Sequence, residues 1–116
     1  GLIRAVTPAG VVTTLAGTTK VYGSSDGTGA AASFGYVSGI ACDSNGNVYV
    51  ADAANNMIRK ITPAGVVTTL AGSTTAGSSN GTGTAASFNG PRGVAVDSTG
   101  YVYVADYLNQ KIRKIS

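Results

Sequence analysis

Thr7-Pro-Ala-Gly-Val-Val-Thr-Thr-Leu-Ala-Gly17 recurs letter for letter at Thr62–Gly72. Downstream of it, Gly23–Ile61 matches Gly77–Ile115 at most positions, so the chain is a tandem duplication with a period of about 55 residues. A repeat of that length is a structural unit, and it has to be read before any single motif.

Each unit contains four short β-rich runs separated by turn signals. The first is Ser38–Asp43, matched by Arg92–Asp97; the second is Val48–Asp52, matched by Val102–Asp106. Asn45-Gly46 between them is a strong hairpin signal, of the kind that calls for positive φ at both central residues. The third run is Met57–Ile61, matched by Lys111–Ile115, and the fourth is Val66–Ala71, matched by Val11–Ala16. Thr-Pro-Ala-Gly joins the third to the fourth, with Pro fixing φ and Gly taking a left-handed position. No helical periodicity is present.

Four antiparallel strands repeated in tandem describe one blade of a β-propeller. Alternate residues of the second strand are apolar at both parities: Val48 and Val50 on one side, Tyr49 and Ala51 on the other. A sheet stacked between two neighbours needs that pattern, because neither face meets water. Tyr103 is core-like for the same reason as Tyr49. Arg59-Lys60 and Arg113-Lys114 on the third strand suit positions further out, where blades splay apart. The fold class is therefore all-β, with blades of four antiparallel strands and two repeats per chain.

At this level of detail the residues resemble a known family. Gly39-Ile-Ala-x-Asp43, Val48-Tyr-Val-Ala-Asp52, Asn55 and Ile58-Arg-Lys-Ile61 are similar to the NHL repeat. The second copy is Gly90-Pro-Arg-Gly-Val-Ala-Val-Asp97, Val102–Asp106, Asn109 and Ile112–Ile115. The stretches Asp26–Gly29 with Ala32–Phe34, and Asn80–Gly83 with Ala86–Phe88, look like the long inter-blade loop of such repeats. The Gly-Pro before the first strand is Tyr36-Val37 in the first copy. The resemblance implies a propeller, most often of six blades.

In strand order the chain reads third-fourth, then a complete set, then first to third. The expected organisation is residues 1–17 as outer strands of a partial blade, 18–72 as the first repeat, and 73–116 as a second repeat lacking its outermost strand. A start at Gly1 without Met suggests a trimmed piece of a longer chain. Two blades alone leave apolar faces and strand edges open, which invites association. A homo-oligomer closing a ring is expected, three chains of two blades being favoured, with Val11–Ala16 free to supply a strand to a neighbour. Ile3–Val6 and Ile112–Ile115 then compete for one place.

Composition narrows function by exclusion. Charged residues are 11% of the chain, hydrophobic ones 43%, and the net charge of +3 is too small to imply nucleic acid without a clustered patch. There is no His and one Cys, so Ser-His-Asp and Cys-His catalysis and zinc chemistry lack their groups. Cys42 stands where the other repeat has Val96 and reads as a buried small hydrophobe. No apolar run is long enough to span a membrane as a helix. The compartment is left open by a single thiol.

The carboxylates are Asp26, Asp43, Asp52, Asp97 and Asp106. Four sit at equivalent strand ends, where Asp accepts backbone N–H bonds in turns. Asp43-Ser-Asn-Gly-Asn47 has oxygens at the alternate positions of a calcium loop, but Asp97-Ser-Thr-Gly-Tyr101 loses the pattern, which favours a hairpin. No catalytic residue, metal or cofactor is expected. The loop positions that differ between copies include Tyr36, Arg92 and Tyr107, which are the candidate ligand-binding residues. The expected role is a non-enzymatic scaffold that binds a protein or small ligand, or simply a folding unit of a larger propeller. An enzyme with an active site between chains, or an RNA-binding propeller, is the alternative; RNA is disfavoured because basic and aromatic residues do not interleave.

Overall fold

The sheets are short because each run of β-formers ends in a tight turn. In the computed structural model, which describes residues 1–116, all ten strands pair antiparallel. β1 (Leu2–Val6) and β2 (Val12–Gly17) form a hairpin. β4 (Val37–Cys42), β5 (Val48–Asp52), β6 (Met57–Ile61) and β7 (Val66–Gly72) form a complete blade in sequence order. Its outer edge carries β3 (Gly27–Thr28), paired with Val66 and Val67. β8 (Pro91–Val96), β9 (Val102–Asp106) and β10 (Lys111–Ile115) form the last sheet. Single 3-10 turns follow β5 and β9 and lie within the two long loops.

Two cores lie between these sheets. Val48 and Val50 point into the first, with Ile3, Ala16, Phe34, Ile61 and Val67. Tyr49 and Ala51 point the other way, into the second, with Ile58, Ala71, Phe88, Val102 and Val104. The double-sided apolar pattern of β5 is thus what lets one blade cement two neighbours. Each fully buried Val, Ile or Phe side chain contributes about 1.5–3 kcal/mol.

The end faces of this arc have no blade against them. Ile112 is 76% exposed while its counterpart Ile58 is fully buried, and Val6 is 66% exposed while Ile61 is buried. Tyr103 is half-buried for the same reason. Cys42 is exposed, not a core residue. With Ile40 it corresponds to Val94 and Val96, which pack against the second core. The place that would cover Cys42 belongs to the inner strands of a preceding blade.

Three other sequence expectations need correction. Arg59 is not on a splayed outer surface; it is fully buried. Gly46 has φ +84, but Asn45 does not take positive φ. The Asp43 carboxylate accepts from Asn45 N and Asn47 N, and Gly46 N donates to Asp43 O, making a longer Asp-anchored loop. Finally, Gly27-Thr28, read as loop, is a strand because β7 lies alongside it.

Candidate functional site

The polar groups of this chain fall into internal latches and one exposed end. The latch of the complete blade starts at Asp52, the last residue of β5. Its Oδ1 accepts from Gly35 N at 3.0 Å, and its Oδ2 accepts from Asn55 Nδ2 and Arg59 Nη1, each at 2.9 Å. Arg59 Nη1 also donates to Ser33 O, and its Nη2 to Ser25 O and Asp26 Oδ1. The guanidinium lies 4.9 Å from the Phe34 ring centroid. Asp26 in turn accepts from the N and Oγ1 of Thr69 on β7. The long loop is therefore tied both to its own blade and to the outer strand.

The last blade repeats the arrangement with Asp106, Asn109 and Arg113, and Arg113 stacks on Phe88. Asn80 takes the place of Asp26 and accepts from Arg113 Nη2 at 2.9 Å. The sequence reading assigned the Asp residues to turns and missed the arginine. The signal was there: Asp, Asn three residues on and Arg seven residues on recur in both copies.

A second set of carboxylates closes the β4–β5 and β8–β9 hairpins. Asp43 is held below the usual carboxylate range, chiefly by the Asn47 side-chain hydrogen bond, with backbone donors and Tyr49 helping. Asp97 is lowered chiefly by the Thr99 hydroxyl. Burial, then the bond to Asp43, raises Tyr49; the bond to Asp97, then burial, raises Tyr103. With Asp43 Oδ2 taken by Asn47 Nδ2 and Tyr49 OH, the oxygens of this loop do not converge on a cation. No three carboxylate or thiol groups of the chain come together.

The exposed end is where β4 and β8 begin and β5 and β9 finish. Tyr36, 69% exposed, precedes β4, and its carbonyl accepts from Ala53 N just after β5. Arg92 lies near the start of β8, and its guanidinium stacks 4.0 Å over the ring of Tyr107, which follows β9. The structure thus joins Arg92 to Tyr107, while Tyr36 stands one blade back at the same end. Ser38 Oγ donates to the carbonyls of Pro91 and Arg92, drawing the two inner strands together. Gly39 permits this approach, because a Cβ there would collide with the Arg92 carbonyl. Leu108, 59% exposed beside Tyr107 and variable between the copies like it, belongs to the same end, as does Asn56, whose Oδ1 accepts from Gly90 N and which the sequence did not point to.

Comparison with known proteins agrees with this architecture. The NHL repeat family model matches residues 34–61 and 88–115. The chain is 36% identical over 95 residues to the chloroplast protein SUPPRESSOR OF QUENCHING 1 of Arabidopsis thaliana, covering 81% of this chain and 9% of that protein. Among solved structures it resembles a protein of unknown function from Bacteroides thetaiotaomicron, with a TM-score of 0.88 and 29% identity over 97% of this chain. It also resembles an auxiliary nutrient binding protein from that organism, with a TM-score of 0.83 and 25% identity over 99% of this chain. A third neighbour from the same organism, provisionally described as a phosphatase, has a TM-score of 0.76 and 25% identity over 87% of this chain. This chain spans only 29%, 32% and 26% of those three chains, respectively. Residues 34–61 and 88–115 are two NHL repeats, and the chain belongs to the NHL-repeat β-propeller family.

Proposed function

We propose that the chain is a non-enzymatic propeller scaffold that closes its ring with copies of itself and recognises a protein or small ligand through the end bearing Tyr36, Arg92 and Tyr107. The observation that carries this reading is the division of labour among polar groups. Every carboxylate is engaged inside a blade or a hairpin, and so are Arg59 and Arg113. Arg92 is different: it has no acidic partner and is stacked on an exposed aromatic ring, with its N–H edges free to bind. The neighbouring positions change between the two copies, while Asp52, Asn55 and Arg59 of the latch recur as Asp106, Asn109 and Arg113, the usual signature of a rigid scaffold carrying a variable face. A nutrient-binding relative of this fold is consistent with a small ligand. Three chains of two blades make six, the blade number the family resemblance favours.

Light scattering coupled to size exclusion, followed by a thermal-shift screen of amino acids, sugars and nucleotides, tests this. A three-chain mass and a stabilising compound whose effect disappears in Arg92→Ala support the proposal. A single-chain mass at high concentration overturns ring closure. A ligand shift that survives Arg92→Ala, Tyr107→Ala and Tyr36→Ala together overturns the assigned face.

A further inference from the structure

Three differences between the two repeats fall on one spot. Arg92, Tyr107 and Leu108 stand where the first copy has Ser38, Ala53 and Ala54, although Val48–Asp52 and Val102–Asp106 are identical. The three residues meet because β8 pairs with β9. The Arg92 guanidinium lies on the Tyr107 ring, and Leu108 sits against Gly90, where a Cβ would come within 3.2 Å of its Cδ1. The backbone beneath them is fixed. Leu108 N donates to Asn89 O, and the Pro91 and Arg92 carbonyls accept from Ser38 Oγ of the preceding blade. Ser38 is itself exposed with β8 packed beside its strand, so this position opens to the end of the propeller and not to a face between blades.

The charge of this cluster has no counterion in the chain. Asp52 and Asp106, the carboxylates at the same end, are fully buried, and each accepts three hydrogen bonds from other groups. Arg92 is exposed and its side chain donates to nothing, whereas the Tyr49 and Tyr103 hydroxyls are tied to Asp43 and Asp97. Stacking holds the guanidinium plane and leaves its N–H edges free, the fork that a carboxylate fits with two parallel bonds. A side chain held this way before binding loses less freedom on binding. One guanidinium is too little charge for a nucleic-acid backbone, which engages several cations. The two main clefts of the chain lie elsewhere, between β1 and β4 and beside β10, and a small molecule is held by a cleft. Exposed Arg and Tyr on a rigid rim have instead the composition of a protein-binding hot spot.

We infer that Arg92, Tyr107 and Leu108 form a docking point for an acidic segment of another protein, one Asp or Glu carboxylate taking the free N–H edges of Arg92 and a neighbouring apolar side chain lying on Leu108. The inference rests on the reading that this end is the recognition face, and narrows the partner to a protein and its chemistry to an anion beside an apolar group. A phage library of short random peptides, panned against the whole chain, tests it. Retained peptides should be enriched in Asp or Glu next to Leu, Ile or Phe. A synthetic copy of one should bind Arg92→Gln roughly tenfold more weakly, by loss of charge-assisted bonds. Arg92→Lys keeps the charge without the fork and should recover only part of the affinity. Tyr107→Phe keeps the stack and should bind as the unaltered chain does, whereas Tyr107→Ala should bind more weakly; thermal melts confirm that each variant is folded. Retained peptides without acidic enrichment, or acidic peptides that bind Arg92→Gln undiminished, overturn the docking point and leave the recognition face standing. No retained peptide beside an Arg92-dependent shift by a small compound also overturns it, and moves the site to a small ligand. Peptide binding that survives Arg92→Ala, Tyr107→Ala and Tyr36→Ala together, or no binding of any peptide or compound, overturns both.

Discussion

Asp52→Asn should destabilise the fold far more than Asp26→Asn, although both remove one carboxylate from the same arginine. Asp52 and Arg59 side chains are both 0% exposed, whereas the Asp26 side chain is 47% exposed. Asp52 accepts three bonds through two oxygens, and an amide supplies only one oxygen. Turned toward Arg59 and Asn55, the amide sets its NH2 against Gly35 N; turned the other way, it sets two donors against Arg59. Either orientation leaves a buried donor without an acceptor, at about 1–3 kcal/mol. It also removes the buried counterion, and breaking such a pair costs about 3–5 kcal/mol in all. Asp26 still touches Arg59 and softens the loss, so the lower end, about 3 kcal/mol, is expected. Asp26→Asn keeps the buried pair and the geometry already seen at Asn80, and a half-exposed charge is worth about 1 kcal/mol or less. With m near 1.5–2 kcal/mol/M, the urea midpoint falls by roughly 1.5–2 M for Asp52→Asn and by about 0.5 M for Asp26→Asn. Equal shifts for the two variants, or a shift below about 0.5 M for Asp52→Asn, would refute the view that the latch is a buried ion pair holding the blade together.

Two further outcomes follow from particular residues. Gly72 has φ +89, and a Cβ on it would run into the Asn56 carbonyl, while Gly10 has φ +85 with open space around it. Gly72→Ala should cost more than Gly10→Ala, whose penalty is backbone strain alone, about 1 kcal/mol; thermal melts of the two variants decide, and equal melting temperatures contradict the packing described. The lowered Asp43 and Asp97 contribute stability that is present above their unfolded value near 3.8 and lost as pH falls through their folded values. The raised Tyr49 and Tyr103 contribute stability that is present below pH 10 and lost above it. Acid titration of stability should show a loss below about pH 4 that shrinks in Asp43→Asn and Asp97→Asn; an unchanged acid limb would count against these hairpin carboxylates.

Much of the blade was legible because its causes are local. Alternating apolar residues in Val48–Ala51 do face two cores, and Thr-Pro-Ala-Gly does turn β6 into β7, with Gly65 N donating to Thr62 O. Arg59 defeated the reading because charge normally marks a surface, and its burial depends on Asp52, Asp26 and two loop carbonyls that meet only in three dimensions. Cys42 misled for the opposite reason: its repeat partner is covered by a preceding blade, and Cys42 is not. Of the candidate binding residues, Arg92 and Tyr107 meet because the strands β8 and β9 pair. That pairing was legible, but the stack between the two side chains is a contact between separate loops that no local pattern encodes.

The two Gly-Thr-Gly segments carry the argument one step further. Gly27-Thr28 and Gly81-Thr82 have the same local sequence and the same following 3-10 turn, yet only the first is a strand. Local propensity cannot separate them, since Gly is a poor strand former in both. What separates them is whether a Val-Val-Thr-Thr strand lies within hydrogen-bonding distance. Secondary structure at the outer edge of each blade is therefore a readout of the neighbouring strand, not a property of the segment. Gly29 N donates to Gly65 O in the complete blade, so an amide-exchange probe at its counterpart Gly83 should show protection only when a strand lies beside β10. Protection of Gly83 equal to that of Gly29 in a single-chain species would mean that the segment orders itself, and this reading of the edge would fall with it.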